Sequence, residues 1–165
     1  MTRKESLDRI LGSFEKYYDI KRSSEDGTFS AEAEFHVHNE QYFLVKSAKL
    51  ADMDSNEYVY FADLDSLSAM KLEELSELSW QIGLSRIHPV EGHRNSDVAL
   101  IVISDRIDSE ALKITKKIKK SKSYRFGLWG WSNFKLIVLD LTSKKSASNR
   151  LGRDFEKNIR KVLAV

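Results

Sequence analysis

The sequence predicts a mixed α/β fold of the α+β kind, in which a β-meander and a βαβαβ unit form one mixed sheet covered by helices. Three observations support this prediction: residues 29–37 alternate between apolar and polar side chains, residues 97–104 and 134–141 are apolar runs, and helical patterns precede or follow each of them. The predicted element order is α-β-β-β-α-β-α-β-α. Because helices separate the last three strands, those strands should be parallel to one another.

Composition limits the class of protein. The 165 residues include one proline, seven glycines and no cysteine, so disulfide scaffolds and thiolate metal sites are excluded. We interpret residues 1–165 as a single domain. Five of the first ten residues are charged, and no apolar run approaches the roughly 20 residues that span a bilayer. We therefore expect no contact with membranes and a cytoplasmic location.

The chain opens with a helix. Thr2 and Glu5 have the spacing of a capping box, in which each side chain bonds a backbone amide of the first turn. One apolar stripe follows, made of Leu7, Ile10, Leu11 and Phe14. We expect this helix to end near Asp19.

Three strands should follow the first helix. Residues 29–37 place apolar side chains on one face and polar side chains on the other, which is the period of a half-buried strand. Residues 41–50 and 57–62 are interpreted as the next two strands, which completes an antiparallel meander. A second helix is predicted over residues 66–82, with Gly83 ending it. Its inward residues are expected to be Leu67, Met70, Leu75, Leu78 and Ile82.

The apolar runs at 97–104 and 134–141 flank a basic helix. Asp108 occupies its N-cap position, and Gly127 and Gly130 prevent the helix from continuing. Its apolar face consists of Ala111, Ile114, Thr115 and Ile118. A last helix is predicted after Ser148, which would cap it, and its apolar stripe contains Leu151, Phe155, Ile159 and Val162.

Charge is distributed unequally along the chain. Residues 113–165 contain 15 lysines and arginines but only 3 acidic residues, whereas the other residues contain 12 basic and 22 acidic ones. Such asymmetry bears on partners rather than on fold. It favours a non-enzymatic binding module whose basic half contacts nucleic acid or another acidic partner. Alternatively, the two halves neutralise each other, for instance across a homodimer.

Basic and aromatic residues alternate between the basic helix and the strand at 134–141. Lysine and arginine neutralise phosphates while aromatic rings stack on unpaired bases, so this pattern indicates a surface for single-stranded nucleic acid. Aromatic residues beside glycines also pack in hairpins and cores, which is the alternative. The predicted binding residues are Lys116, Lys117, Lys119, Lys120, Lys122, Arg125, Trp129 and Trp131, with Tyr124, Phe126 and Lys135 in the same stretch.

Acidic residues at strand ends suggest a rival function. Asp63, Asp105 and Asp140 follow or end apolar runs, and the carboxyl ends of parallel strands share one edge of a sheet. Carboxylates gathered there could hold magnesium and activate a phosphate ester, which predicts a metal-dependent phosphodiester hydrolase. Acids also cap helices that follow strands, so the same residues have a structural explanation.

Histidines and glutamates on one strand face form a second candidate metal site. Glu34, His36 and His38 are two residues apart, and such side chains suit zinc or iron. The solvent-facing side of any half-buried strand produces the same pattern without a metal. Apart from such a divalent metal, the sequence predicts no cofactor.

Four segments resemble an uncharacterised prokaryotic domain family: NEQYFL at 39–44, RFGLWGW at 125–131, LIVLDL at 136–141 and NRLGR at 149–153. The resemblance extends over nearly the whole chain and implies no activity. The first six elements also resemble the core of restriction-endonuclease-like nucleases. The Asp/Glu-x-Lys signature of those nucleases is missing, however, since Leu44 and Ser47 stand two residues before Lys46 and Lys49.

Overall fold

A computed structural model describes residues 1–23, 27–36, 54–91 and 93–165, which contain seven strands and four helices. The helices are α1 (Arg3–Phe14), α2 (Ala69–Ser85), α3 (Ser109–Thr115) and α4 (Arg153–Leu163). The strands are β1 (Asp19–Arg22), β2 (Ala31–His36), β3 (Asp54–Leu67), β4 (His93–Ile107), β5 (Ser121–Ser123), β6 (Trp131–Asp140) and β7 (Lys145–Ser148).

All seven strands belong to one mixed sheet with the order β1-β2-β3-β4-β6-β5, and β7 also pairs with β6. Strands β1, β2 and β3 pair antiparallel as a meander, whereas β3, β4 and β6 are parallel. The predicted fold class and the predicted parallel strands are thus confirmed. The strand predicted at 41–50 lies outside the described residues.

The central strands are buried on both faces. Every residue of β4 from Val98 through Ile103 is fully shielded from solvent. Helices α2 and α3 cover one face, where Leu72, Leu75 and Ala111 pack on the sheet; we call it the α2/α3 face. Helices α1 and α4 cover the opposite, α1/α4 face through residues that include Ile10, Leu11, Ile159 and Leu163.

The capping box at the start of α1 is confirmed. The Thr2 hydroxyl accepts a hydrogen bond of 3.1 Å from the Glu5 amide, and the Glu5 carboxylate accepts one of 2.7 Å from the Thr2 amide. The Thr2 hydrogen bonds lower the pKa of Glu5. Two free amides of the first turn are therefore satisfied by side chains.

Helix α2 differs from the prediction in its bounds and in its buried face. It starts after Ser68, whose hydroxyl accepts a hydrogen bond from the Lys71 amide, and it continues through Gly83. The expected inward residues Met70, Leu78 and Ile82 are exposed. Small side chains share the buried face instead, since Ser76, Ser79 and Gly83 lie there with Leu72, Leu75 and Trp80. They let the helix backbone approach the sheet closely.

Three further differences concern short elements. Strands β1, β5 and β7 were not predicted, because each has only three or four residues and little apolar character. Ser148 does not cap the last helix: it ends β7 and donates a hydrogen bond to Glu156. Asn149 caps a 3-10 turn at Arg150–Gly152, and α4 follows that turn.

Within the described ranges, no helix is long and apolar enough to cross a membrane.

Substitutions of the two helical glycines, Gly83 and Gly12, should have opposite effects on stability. A Cβ atom at Gly83 would lie 2.5 Å and 2.7 Å from the two methyl groups of Val98, whereas one at Gly12 would meet nothing within 4 Å. We expect Gly83→Ala to lower the free energy of unfolding by about 1 to 3 kcal/mol through overpacking. We expect Gly12→Ala to leave stability unchanged or raise it by up to about 1 kcal/mol. Urea unfolding of both variants measures the difference, and equal effects would contradict the close packing of α2.

Candidate nucleic-acid interface

Residues 116–131, which we call the basic hairpin, run from the end of α3 through β5 to the start of β6. This stretch contains six lysines and arginines and no acidic residue. Its turn lies between Ser123 and Trp131, which pair across β5 and β6. Because β6 starts there, the turn stands at the amino ends of the parallel strands.

The turn is internally hydrogen bonded despite its unusual backbone. The Tyr124 carbonyl accepts hydrogen bonds from the Gly127 and Trp129 amides at 3.0 Å and 3.1 Å, and the Tyr124 amide donates to the Gly130 carbonyl at 3.0 Å. Four residues have positive φ values: 49° at Arg125, 55° at Phe126, 87° at Gly127 and 83° at Gly130. Arginine and phenylalanine rarely adopt such values, so the backbone is strained there.

Apolar side chains project from this turn into solvent. The relative exposure is 104% for Phe126, 81% for Leu128 and 43% for Trp131. Backbone strain that presents an apolar ring to water does not stabilise the fold, and such strain is concentrated at functional sites. The turn is therefore a candidate contact surface.

Most of the predicted cations lie along the basic hairpin and are accessible, with Lys122 and Arg125 at the turn and the others in the segment before β5. Lys116, Lys117, Lys119, Lys122 and Arg125 are exposed. Two of them lie against aromatic rings: the Arg125 guanidinium is 4.4 Å from the centre of the half-buried Trp129 ring, and the Lys122 ammonium is 5.7 Å from that of Tyr124. The remaining predicted cation, Lys120, differs, because its ammonium lies 2.6 Å from the Glu77 carboxylate of α2.

A single buried amide, that of Asn149, ties the basic hairpin to the core. Its oxygen accepts hydrogen bonds from the amides of Leu136 and Gly152, both at 3.0 Å. Its nitrogen donates to the carbonyls of Ile118 at 3.1 Å and Phe134 at 2.8 Å. Both donors and both acceptor positions of the side chain are thus used. Residue 118, between the exposed lysines, is held against β6.

A buried charge cluster fixes the other side of the hairpin base. Lys135, on the α1/α4 face of β6, lies 2.5 Å from the Glu57 carboxylate and 3.4 Å from that of Asp97. The Tyr18 hydroxyl donates a hydrogen bond to Glu57. Asp97 accepts a further bond of 3.2 Å from the amide of Asn133, which pairs with Ser121 of β5. The cluster therefore positions the strand from which the hairpin extends.

Burial and ion pairing oppose each other in this cluster. It raises the pKa of Asp97, and the nearby Lys135 ammonium only partly counteracts it. For Lys135, burial alone would lower the pKa, but the carboxylates of Glu57 and Asp97 together raise it. Burial and the charge of Glu57 raise the pKa of Tyr18. At neutral pH the cluster holds a charged lysine between two carboxyl groups and a neutral phenol.

The predicted strand-end acids do not come together as one site. Asp63 and Asp105 lie on the α1/α4 face, where the Arg3 guanidinium of α1 binds both at 3.0 Å and also contacts Asp65. Asp140 lies on the opposite face. Its two oxygens accept hydrogen bonds from the amides of Ile107 at 2.9 Å and Ser143 at 2.8 Å. The Arg3 guanidinium thus bridges Asp63 and Asp105, and Asp140 braces two loops.

The predicted histidine site cannot be assembled from the described residues. The side chain of His36 and the whole of His38 lie outside them. Glu34 forms a salt bridge with Arg86, which also lies 3.4 Å from Glu32 and stacks on the Tyr58 ring at 5.1 Å. In the part of the chain that the structure describes, no group of three or more histidines or acidic residues could hold a metal ion.

The sequence contains one signal for the charge cluster. A lysine interrupts the apolar run at 134–141, and lysine is almost never fully buried without a partner. The alternation of basic and aromatic residues had instead placed Lys135 in the stretch that contains the predicted binding residues. Its partners Glu57 and Asp97 are direct neighbours across β3 and β4, which the sequence alone does not reveal.

Comparison with known proteins gives one match. A family model described as "Domain of unknown function (DUF8052)" matches residues 2–161. No curated protein and no solved structure matches the chain. The match agrees with the resemblance that the four sequence segments indicated.

Two lysine–glutamate pairs test whether the cluster holds the hairpin base. Lys135→Met leaves two buried carboxyl groups without a cation, and we expect it to cost about 3 to 5 kcal/mol of stability at neutral pH. The loss should shrink as the pH falls, because burial raises the pKa of Asp97 and a protonated Asp97 no longer needs the ammonium. Lys120→Met breaks a surface pair and should cost at most about 1 kcal/mol. Urea unfolding at two pH values compares the variants; equal losses would show that the cluster is not important for stability.

Proposed function

We propose that this chain, which belongs to the DUF8052 family of domains of unknown function, binds single-stranded nucleic acid through the basic hairpin. The observation that carries the proposal is Phe126, whose ring is fully exposed on a strained turn. An exposed ring offers a stacking platform for an unpaired base, and stacking tolerates any base sequence.

The distribution of charge supports a polyanionic partner over a neutral one. Five accessible cations lie between residues 116 and 125, with no acidic residue among them. Phosphates neutralised by such side chains release condensed counterions, which drives binding. The Arg125 and Trp129 pair adds a planar cation above an aromatic ring, which is a second surface for stacking.

The rigidity of the hairpin base supports the same proposal. Binding that must first order a loop loses affinity. Here the turn is closed by its own hydrogen bonds, and Asn149 and Asp97 hold the strands beneath it. The cations and rings are therefore presented by a preformed surface.

Salt dependence tests the phosphate contacts. Log affinity should fall with log salt with a slope of about −0.7 for each phosphate contact made on a single strand. The double variant Lys119→Gln, Lys122→Gln should reduce the magnitude of that slope by more than about 1, nearly independently of base sequence. Lys21→Gln, on β1 at the far edge of the sheet, is the matched control and should not change it. Fluorescence anisotropy with labelled strands measures both. If the parent protein binds neither DNA nor RNA strands at low salt, the proposal is wrong.

The aromatic contribution is tested separately. Phe126→Ala should weaken binding by about 1 to 3 kcal/mol, because one stacking platform is lost. Its melting temperature should not fall, since the ring is fully exposed in the folded protein. Met70→Ala removes an exposed apolar side chain from α2 and should change neither quantity. Unchanged binding by Phe126→Ala, or a parent protein that binds anionic vesicles in preference to single strands, would contradict base stacking.

A further inference from the structure

A cavity of about 500 Å³ opens at the end of the sheet opposite the basic hairpin. Strands β3, β4 and β6 each contribute to it through their carboxyl ends, represented by Ser66, Arg106 and Asp140. Open α/β sheets usually bind ligands at the carboxyl ends of their parallel strands. The volume is within the range of small-molecule sites.

Two charged side chains of the cavity make no ion pair or capping bond within the described part of the chain. Arg106 is exposed, and it forms no ion pair with any described residue. Asp108 stands at the N-cap of α3, but its carboxylate makes no capping hydrogen bond. Its backbone amide holds the position of the residue by donating to the Leu67 carbonyl at 3.0 Å. The backbones that carry one cation and one carboxylate are thus held at the same opening.

The other polar groups of the cavity limit what it can bind. Asp140 is buried and already accepts two backbone hydrogen bonds, so it shapes the wall of the cavity. The hydroxyl-bearing residues Ser66, Thr142 and Ser143 complete the lining. A guanidinium binds phosphate oxygens in a bidentate manner, and a carboxylate accepts hydrogen bonds from sugar hydroxyls.

From this arrangement we infer that the cavity binds a small sugar phosphate, either alone or as part of a mononucleotide. Arg106 contacts the phosphate and Asp108 accepts hydrogen bonds from the sugar hydroxyls. This site is independent of the basic hairpin, because the two surfaces lie at opposite ends of the parallel strands.

Calorimetry with ribose 5-phosphate, adenosine monophosphate, inorganic phosphate and ribose tests the inference. Ribose 5-phosphate should bind the parent protein more tightly than either of its parts, and Arg106→Gln should weaken it at least about tenfold. Asp108→Asn should weaken ribose 5-phosphate and leave inorganic phosphate unchanged. A stronger response to adenosine monophosphate than to ribose 5-phosphate identifies a mononucleotide as the ligand, and equal responses identify the sugar phosphate itself.

Arg125→Gln, in the basic hairpin, is the matched control. It should weaken single-strand binding and leave ribose 5-phosphate binding unchanged, whereas Arg106→Gln should do the reverse. Failure of either proposal is therefore distinguishable from failure of the other. The inference is overturned if ribose 5-phosphate and adenosine monophosphate both fail to bind, if Arg106→Gln binds them as the parent does, or if inorganic phosphate binds as tightly as ribose 5-phosphate.

Discussion

The structure depends on the burial of three parallel strands on both faces. Strands β3, β4 and β6 carry nearly continuous apolar runs in their centres, which exclude water only when helices cover both sides. Apart from Lys135, charged side chains of these three strands are therefore found near the two ends of the strands and not in their centres. The basic hairpin extends from the amino ends, and the cavity beside Arg106 opens at the carboxyl ends.

Two of the segments that resemble the family acquire a physical explanation. In NRLGR, Asn149 satisfies four backbone groups, and Gly152 has no room for a side chain, since a Cβ atom there would lie 2.7 Å from the Leu136 carbonyl oxygen. In RFGLWGW, Gly127 and Gly130 adopt positive φ values that the turn requires. NRLGR thus ties the basic hairpin to β6, and RFGLWGW shapes the turn of the hairpin.

The sequence predicted those parts of the fold that follow from local periodicity. The runs at 97–104 and 134–141 are apolar throughout, so parallel strands between helices were the natural interpretation, and the structure has them. Strands β1, β5 and β7 escaped prediction because hydrogen bonds to neighbouring strands, rather than side-chain patterns, define them. The buried face of α2 also escaped, because serines and Gly83 were judged by polarity or helix propensity instead of by size.

The candidate site, like the fold, could be predicted only in part from the sequence. The lysines of the basic hairpin could be identified from charge, but the full exposure of Phe126 could not, because it depends on the backbone of one turn. Lys135 and Lys120 looked like members of the same basic surface, and each instead pairs with a glutamate from a distant part of the chain. Pairings of this kind depend on which strands become neighbours, so the order of residues along the chain does not reveal them.

The four hydrogen bonds of the Asn149 side chain affect the order in which the chain folds. Strands β4 and β6 can pair only after the segment between them, which contains α3, has brought its two ends together. Pairings between strands far apart in the sequence form slowly. Residues 149–152 follow β6 along the chain, so during synthesis they emerge after the lysines that they help to fix. We expect the basic hairpin to reach its final geometry late, together with the docking of α4. The lysines of a nascent chain would then be exposed before the structure that arranges them has formed, and a fully formed basic hairpin would mark a chain that has completed its fold.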